Sequence, residues 1–244
     1  MLNCVSCFFV QDELSGNLLH TLGIQNVIIS GDTRLDRVIA NAVNRKPLPG
    51  IDEFKNRKNI FIAGSTWPQD EALLATLVTQ YPGWKFIFAP HEITELKMGK
   101  FVDLFPKGSV IRYSQIGQLT TDVSLFNILI IDNIGMLSSL YQYGKIAYIG
   151  GGFGAGIHNT LEAAAFALPV IFGPNYSKFK EAVDFISIKA GFSVGNEIEL
   201  KAVTNKLIND NVFYNNAVSN IKKYIDGHTG ATKIIIDYIS TRLK

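Results

Sequence analysis

Between Gly150 and Gly156 the chain carries five glycines, Gly150, Gly151, Gly152, Gly154 and Gly156, entered from an apolar run at 146–149 and followed by His158, Asn159 and Glu162. Glycine lets backbone N–H groups approach a ligand with no Cβ in the way, and a helix opening at His158 would add unpaired amide donors and a partial positive charge. An anion, a phosphate or a carboxylate, is the natural occupant of such a strand–loop–helix. His158 and Asn159 can donate side-chain hydrogen bonds, and Glu162, one turn into the helix, can accept from hydroxyls. Plainer roles compete with these. His158 could be satisfied by its own backbone, Glu162 could serve only the helix dipole, and residues 163–168 read as core packing.

Three more apolar runs end in polar or glycine residues: Gly64-Ser65-Thr66, Pro90-His91-Glu92 and Asp132-Asn133-Ile134-Gly135-Met136. Singly, Ser65 or Thr66 could cap a helix starting at Pro68, and Asp132 could cap the helix after it. Together, four equipped exits point to one ligand-binding rim.

The elements that must position them follow from periodicity. Strands are expected over 26–30, 60–63, 85–89, 110–113, 128–132, 146–150 and 169–172. Helices are expected over 11–22, 34–44, 68–80, 92–101, 135–143, from 158 onward, and over 178–190, 197–209, 212–226 and 231–242. Residues 46–59, with prolines and charges, read as a connector. Strands alternating with helices imply an α/β fold whose parallel sheet is covered by helices on both faces, with ligands beyond the carboxyl ends of the strands.

At 244 residues and 47% hydrophobic content the chain can bury a large core, and a net charge of +2 with no basic block argues against nucleic acid as a partner. The glycine spacing does not fit a dinucleotide fingerprint, no acid follows at the ribose-binding position, and no G-K-[ST] phosphate loop occurs. Cys4 and Cys7 lack the second ligand pair of a closed zinc site and read as reduced thiols of a cytoplasmic protein, so no metal is expected. The apolar residues 1–10 lack signal-peptide flanks and fall short of the ~20 residues that span a bilayer.

At the four exits the chain resembles the 3-deoxy-D-manno-octulosonic acid (Kdo) transferases of Gram-negative lipopolysaccharide synthesis. Their C-terminal half shows an S-T strand end, a V-P-R-H-type exit, a D-T-M-G-E-L-type segment, and G-G-S followed by G-G-H-N-P-L-E-A-A, P-V-L-M-G-P and F-K. The counterparts are Gly64-Ser65-Thr66, Ala89-Pro90-His91-Glu92, Asp132 through Leu137, Gly150-Gly151-Gly152, His158 through Glu162, Gly173-Pro174 and Phe179-Lys180. The match covers roughly residues 26–185, with weaker likeness at 9–13 and 30–36.

The resemblance implies a Rossmann-like C-terminal domain of a GT-B glycosyltransferase. Residues 1–30 would be a remnant of the N-terminal domain, 31–58 an interdomain connector, 59–228 the donor-binding domain and 229–244 a C-terminal helix. It implies transfer of Kdo from CMP-Kdo to a lipid A precursor, without a cofactor, at the cytoplasmic face of the inner membrane. The membrane-associated segment, the acceptor surface and the catalytic glutamate base would lie in the missing N-terminal domain, leaving this chain inactive alone. Donor-binding residues would be Ser65, Thr66, His91, Asp132, Gly135, Met136, Gly151, Gly152, Phe153, Gly154, His158, Asn159 and Glu162; Lys178 and Lys180 could reach a carboxylate. Two departures bear on this: His91 can stand for either the arginine or the histidine of the family motif, and Met136 replaces an acid. Another GT-B transferase, a nucleotide-sugar epimerase or a non-catalytic binding module would share the same exits.

Overall fold

The computed structural model describes residues 2–118 and 120–242. A small unit comes first: β1 (Phe8–Val10), α1 (Glu13–Thr21) and β2 (Val27–Ile29), the two strands pairing in parallel as their own sheet. After α2 (Thr33–Val43) and α3 (Ile51–Lys55), β3 (Ile60–Thr66), α4 (Pro68–Gln80), β4 (Lys85–Pro90), α5 (Glu95–Val102), β5 (Val110–Arg112) and β6 (Ile128–Ile130) build one half of the main domain. The other half is α6 (Leu137–Leu140), β7 (Ile146–Ile149), α7 (Leu161–Ala164), β8 (Val170–Phe172), α8 (Lys180–Ser187) and β9 (Gly191–Ser193). Helices α9 (Glu197–Asn209), α10 (Asn211–Gly227) and α11 (Ala231–Arg242) close the chain.

Every pairing in the seven-stranded sheet is parallel, in the order β5-β6-β4-β3-β7-β8-β9. From β3 the chain runs outward through β4 and then returns to the other side of β3 as β7. Strand order therefore reverses around β3, the position where parallel sheets leave a crevice for ligands.

Because side chains alternate along a strand, the same strands feed two cores. Ile60, Ile62, Ile87, Leu129, Ala147 and Ile149 meet α2, α3 and α6 through Leu35, Ile51, Phe54 and Leu140 on one face. Phe61, Phe86, Phe88, Ile128, Ile146 and Tyr148 meet α4, α5 and α9 through Leu74, Leu77, Met98, Phe101 and Leu200 on the other. Among the described residues no helix is long and apolar enough to cross a membrane.

Several expectations need correction. The stretch read as a connector, 46–59, contains α3, whose Ile51 and Phe54 are fully buried, since apolar residues three apart share one face of even a short helix. The helix expected from His158 begins only at Leu161 and is four residues long. The helix expected over 92–101 starts at Glu95, where the Thr94 hydroxyl caps it, and that over 178–190 is confined to α8. The 135–143 helix is α6 followed by a 3-10 turn at Tyr141–Tyr143. Strands β1 and β9, at Phe8–Val10 and Gly191–Ser193, are not among those expected. Residues 1, 243 and 244, within the expected terminal units, lie outside the described residues.

The final helix is held by a single carboxylate. Asp36 on α2 accepts from the amides of Gly230 (2.7 Å) and Thr232 (2.6 Å), satisfying donors at the start of α11, and the Tyr238 ring then meets Phe9 of β1 edge-on at 5.3 Å. Replacing Asp36 by Ala should lower unfolding stability by ~1–2 kcal/mol in urea titrations, the cost typical of a lost helix cap.

Candidate functional site

The exits of β3, β4 and β7 meet at the centre of the rim. Between Gly64 and Thr66 the β3–β4 register shifts, and Ser65 takes a left-handed φ of 54°, a conformation costly for a side-chain-bearing residue and found at functional sites. The Gly150 amide donates to the Gly64 carbonyl at 2.9 Å. A Cβ on Gly150 would lie 2.2 Å from the Ser65 oxygen, so β3 and β7 converge only because this position is glycine.

The glycine loop is anchored by Asp70, a residue that sequence reasoning passed over as part of a helix start. Asp70 is 1% exposed and accepts from the Trp67 amide (2.9 Å), the Tyr148 hydroxyl (2.7 Å) and the Gly151 amide (3.0 Å). Its place in the first turn of α4, after Pro68, is the signal that would have found its capping role; its reach to β7 is visible only in three dimensions.

Within the loop, Gly151 (φ 92°) accepts from the Gly154 and Gly156 amides at 2.9 and 3.3 Å, and Gly156 has φ 141°. Gly152 is buried, and a Cβ there would come within 2.6 Å of the Gly173 backbone, whereas at Gly154 the nearest atom would be 3.6 Å away. The amides of Gly152, Phe153 and Ala155 enter no hydrogen bond among the described residues. They are the free donors of the loop. With α7 so short, loop amides rather than a helix dipole would meet an anion.

His158 divides the rim. Its amide donates to the Gly150 carbonyl (3.1 Å), its ring stacks on His91 with centroids 4.5 Å apart, and its Nε2 accepts from Trp67 Nε1 at 3.2 Å. His91 in turn stacks on Trp67 at 4.6 Å. Burial, with His91 beside it, pushes the His158 imidazole pKa down against the opposing pull of Asp70.

On one side of His158 lies a polar cleft of about 290 Å³ lined by Ser65, Gly135, Tyr141, Asn159 and Glu162. Tyr141 is 1% exposed as a residue, and its side chain borders this cleft. Burial pushes its pKa up, with Glu162 adding. Burial also pushes up the Glu162 carboxyl, against a hydrogen bond from Asn159 Nδ2 (3.3 Å) and the charge of Arg37. Asn159 is largely spent locally, since its Oδ1 accepts from the Leu161 amide at 3.0 Å. On the other side lies a mostly apolar cleft of about 460 Å³ bounded by Trp67, Pro68, Phe153, Gly154 and Ala155.

Five of the expected donor-binding residues line neither cleft: His91, Gly152, Thr66, Asp132 and Met136. Thr66 is buried and its hydroxyl donates inward to Glu71 Oε1 at 3.1 Å, so it serves neither a ligand nor a helix cap. Asp132 accepts from the amide and hydroxyl of Ser114 and ties the β5 and β6 exits together, while Met136 packs against the core. Lys180 pairs with Asp184 at 2.7 Å, and Lys178 is exposed.

No family model matches the chain. It is similar to the 3-deoxy-D-manno-octulosonic acid transferase of Chlamydia trachomatis serovar A, 28% identical over 211 residues, covering 82% of this chain and 48% of that protein. It is 39% identical to the transferase of the same description from Aquifex aeolicus over 84 residues, 34% of this chain and 24% of the other. Among solved structures, the C-terminal CMP-Kdo binding domain of WaaA from Acinetobacter baumannii superimposes with a TM-score of 0.58 at 18% identity, covering 77% of this chain and 97% of that domain. Over most of its length the chain is thus similar in sequence to Kdo transferases, and in fold to the C-terminal domain of one of them. At 18% identity the structural likeness shows a shared α/β fold and no more. The chain spans about half the length of the first of these transferases.

Two outcomes follow from the geometry. Gly152→Ala forces a side chain into the Gly173 backbone and should lower the melting temperature by several degrees, in line with ~1–3 kcal/mol of strain. Gly154→Val, at an exposed position with room for a side chain, should leave the melting temperature nearly unchanged while blocking anion access to the loop; differential scanning calorimetry of both variants decides. The second outcome concerns Glu71, which burial pushes up to about 7 from an ordinary 4.5 against a hydrogen bond from Thr66, with Asp70 raising it further and Lys97 opposing. A folded-state value above the unfolded one means that its contribution to stability is full below about 4.5 and is lost as pH rises through about 7. Relative to Glu71→Gln, the parent should therefore lose stability across that window in urea unfolding measured at successive pH values.

Proposed function

We propose that the chain is the donor-binding portion of a glycosyltransferase that moves Kdo from CMP-Kdo to a lipid A precursor. The observation that carries the reading is the junction at His158, where a cleft lined by Ser65, Tyr141, Asn159 and Glu162 adjoins a loop of unspent amides. A nucleoside suits the first: sugar hydroxyls can pair with Glu162, Tyr141 and Ser65. A phosphate suits the second, at the amides of Gly152, Phe153 and Ala155. Sugar transfer needs charge stabilisation as the phosphate departs, and preorganised N–H donors supply it without reorganisation at the moment of reaction.

The transfer also needs a base for the acceptor hydroxyl. The named transferases extend well beyond the matched segment, and we assign the base, the acceptor surface and the contact with the cytoplasmic face of the inner membrane to that remainder. On this reading β1, α1 and β2 are the end of that other domain, residues 31–58 lead from it, and Asp132 and Met136 support the rim rather than touch the donor.

Titration calorimetry with CMP, UMP and NAD tests the reading. CMP should bind, with UMP at least about tenfold weaker, a difference of ~1.4 kcal/mol, and NAD giving no heat. The purified chain should transfer no Kdo to a lipid A precursor above a no-enzyme control. Preference for UMP or NAD would overturn the donor assignment, and measurable transfer would overturn the assignment of the base to the remainder.

A further inference from the structure

The Trp67–His91–His158 stack sits where the two clefts meet. An indole Nε1 can only donate, so its 3.2 Å contact makes His158 Nε2 an acceptor. In a neutral imidazole with Nε2 accepting, the single proton is on Nδ1. The ring packing agrees: the Cδ2–Nε2 edge is the one facing Gly151, while Nδ1 enters no hydrogen bond among the described residues and His158 borders both clefts. We propose that Trp67 is a positioning residue that fixes His158 as the neutral Nδ1–H tautomer, so that the phosphate of the donor meets a neutral N–H rather than an imidazolium. The ligand half of this inference rests on the donor-binding reading above; the tautomer half does not.

The surroundings of His158 act in the same sense, with one exception. Protonation at Nε2 would set an N–H against the indole N–H. From the β4 exit His91 stacks on the ring, so that protons on both imidazoles would place two positive charges 4.5 Å apart between centroids. From α4, Asp70 favours the imidazolium, but its oxygens are engaged by Trp67, Tyr148 and Gly151. From α7, Glu162 shares the polar cleft; Ser65 and Tyr141, also lining it, are uncharged. A neutral donor suits an anion that must leave after the reaction, because it lends a directed hydrogen bond without a full charge to escape.

The test is Trp67→Phe, which keeps an aromatic ring on His91 and deletes the indole donor together with the second ring. Long-range proton–nitrogen correlation spectra of the ligand-free, nitrogen-15-labelled chain report the tautomer, the His158 signals being those lost in His158→Gln. In the parent, His158 should show a pyrrole-type Nδ1 and a pyridine-type Nε2, with a titration midpoint below the ordinary histidine value near ~6.5. In Trp67→Phe the proton should shift toward Nε2 and the titration midpoint should rise. CMP affinity at pH 7.5 should fall about 5–10-fold, equivalent to ~1–1.4 kcal/mol. The ratio of parent to variant affinity should return toward one as pH is lowered, because the imidazolium again carries an Nδ1–H; taking the ratio cancels the titration of CMP itself. A pyridine-type Nδ1 in the parent overturns the proposal whether or not the variant folds, as does a variant with unchanged tautomer and midpoint. If CMP fails to bind the parent while the tautomer is as expected, the donor reading falls and the role of Trp67 in fixing His158 stands.

Discussion

Three donors converge on the carboxylate of Asp70: the amide that opens α4, the phenol of Tyr148 on β7, and the amide of Gly151 at the turn out of that strand. The contacts from Tyr148 and Gly151 are buried with it, and a buried donor left unpaired costs ~1–3 kcal/mol, so these contacts support one another. A negative group at the start of α4 is further favoured by the helix dipole. Through this one group the position of α4, the depth of β7 and the path of the glycine loop are coupled. Trp67, and through it His158, takes its place from the same turn.

Around that anchor the loop is shaped by close backbone approach. Gly150 meets Ser65, Gly152 meets Gly173, and Gly156 meets the ring of Phe179, each at distances that no Cβ permits. Only Gly154 is free of such a constraint. The glycines of one motif thus divide between packing and access. Free amides are left on the exposed arc, and an anion there would be held by directed N–H groups in a partly dry setting, where each bond is stronger than in water.

The rim is tied back to the start of the chain by polar links. Arg34 on α2 bridges Asp32 (2.7 Å) and the nearly buried Glu181 of α8 (3.3 Å), and Asp36 holds the start of α11. These contacts span α2, α8 and α11, so the stretch between the small sheet and the large one is part of the packed body.

Composition and periodicity, read without coordinates, determined the class of fold. Uninterrupted apolar runs alternating with helical spacing fit strands buried on both faces, and β3, β4, β6, β7 and β8 all lie where those runs are, because that pattern is local and redundant. The glycine cluster with His158, Asn159 and Glu162 also pointed to a place where strand exits come together, since close backbone approach leaves a compositional trace. What lies between distant segments left no such trace. The hydrogen bond from Trp67 to His158 joins residues 91 positions apart, and that from Tyr148 to Asp70 joins residues 78 apart. Thr66 turned inward because Glu71 lies beneath it, and Asp132 turned aside because Ser114 offers two donors, neither of which the exits themselves reveal. Which polar groups are spent and which stay free for a ligand is set by pairing across the sheet, and only the folded chain brings those partners together.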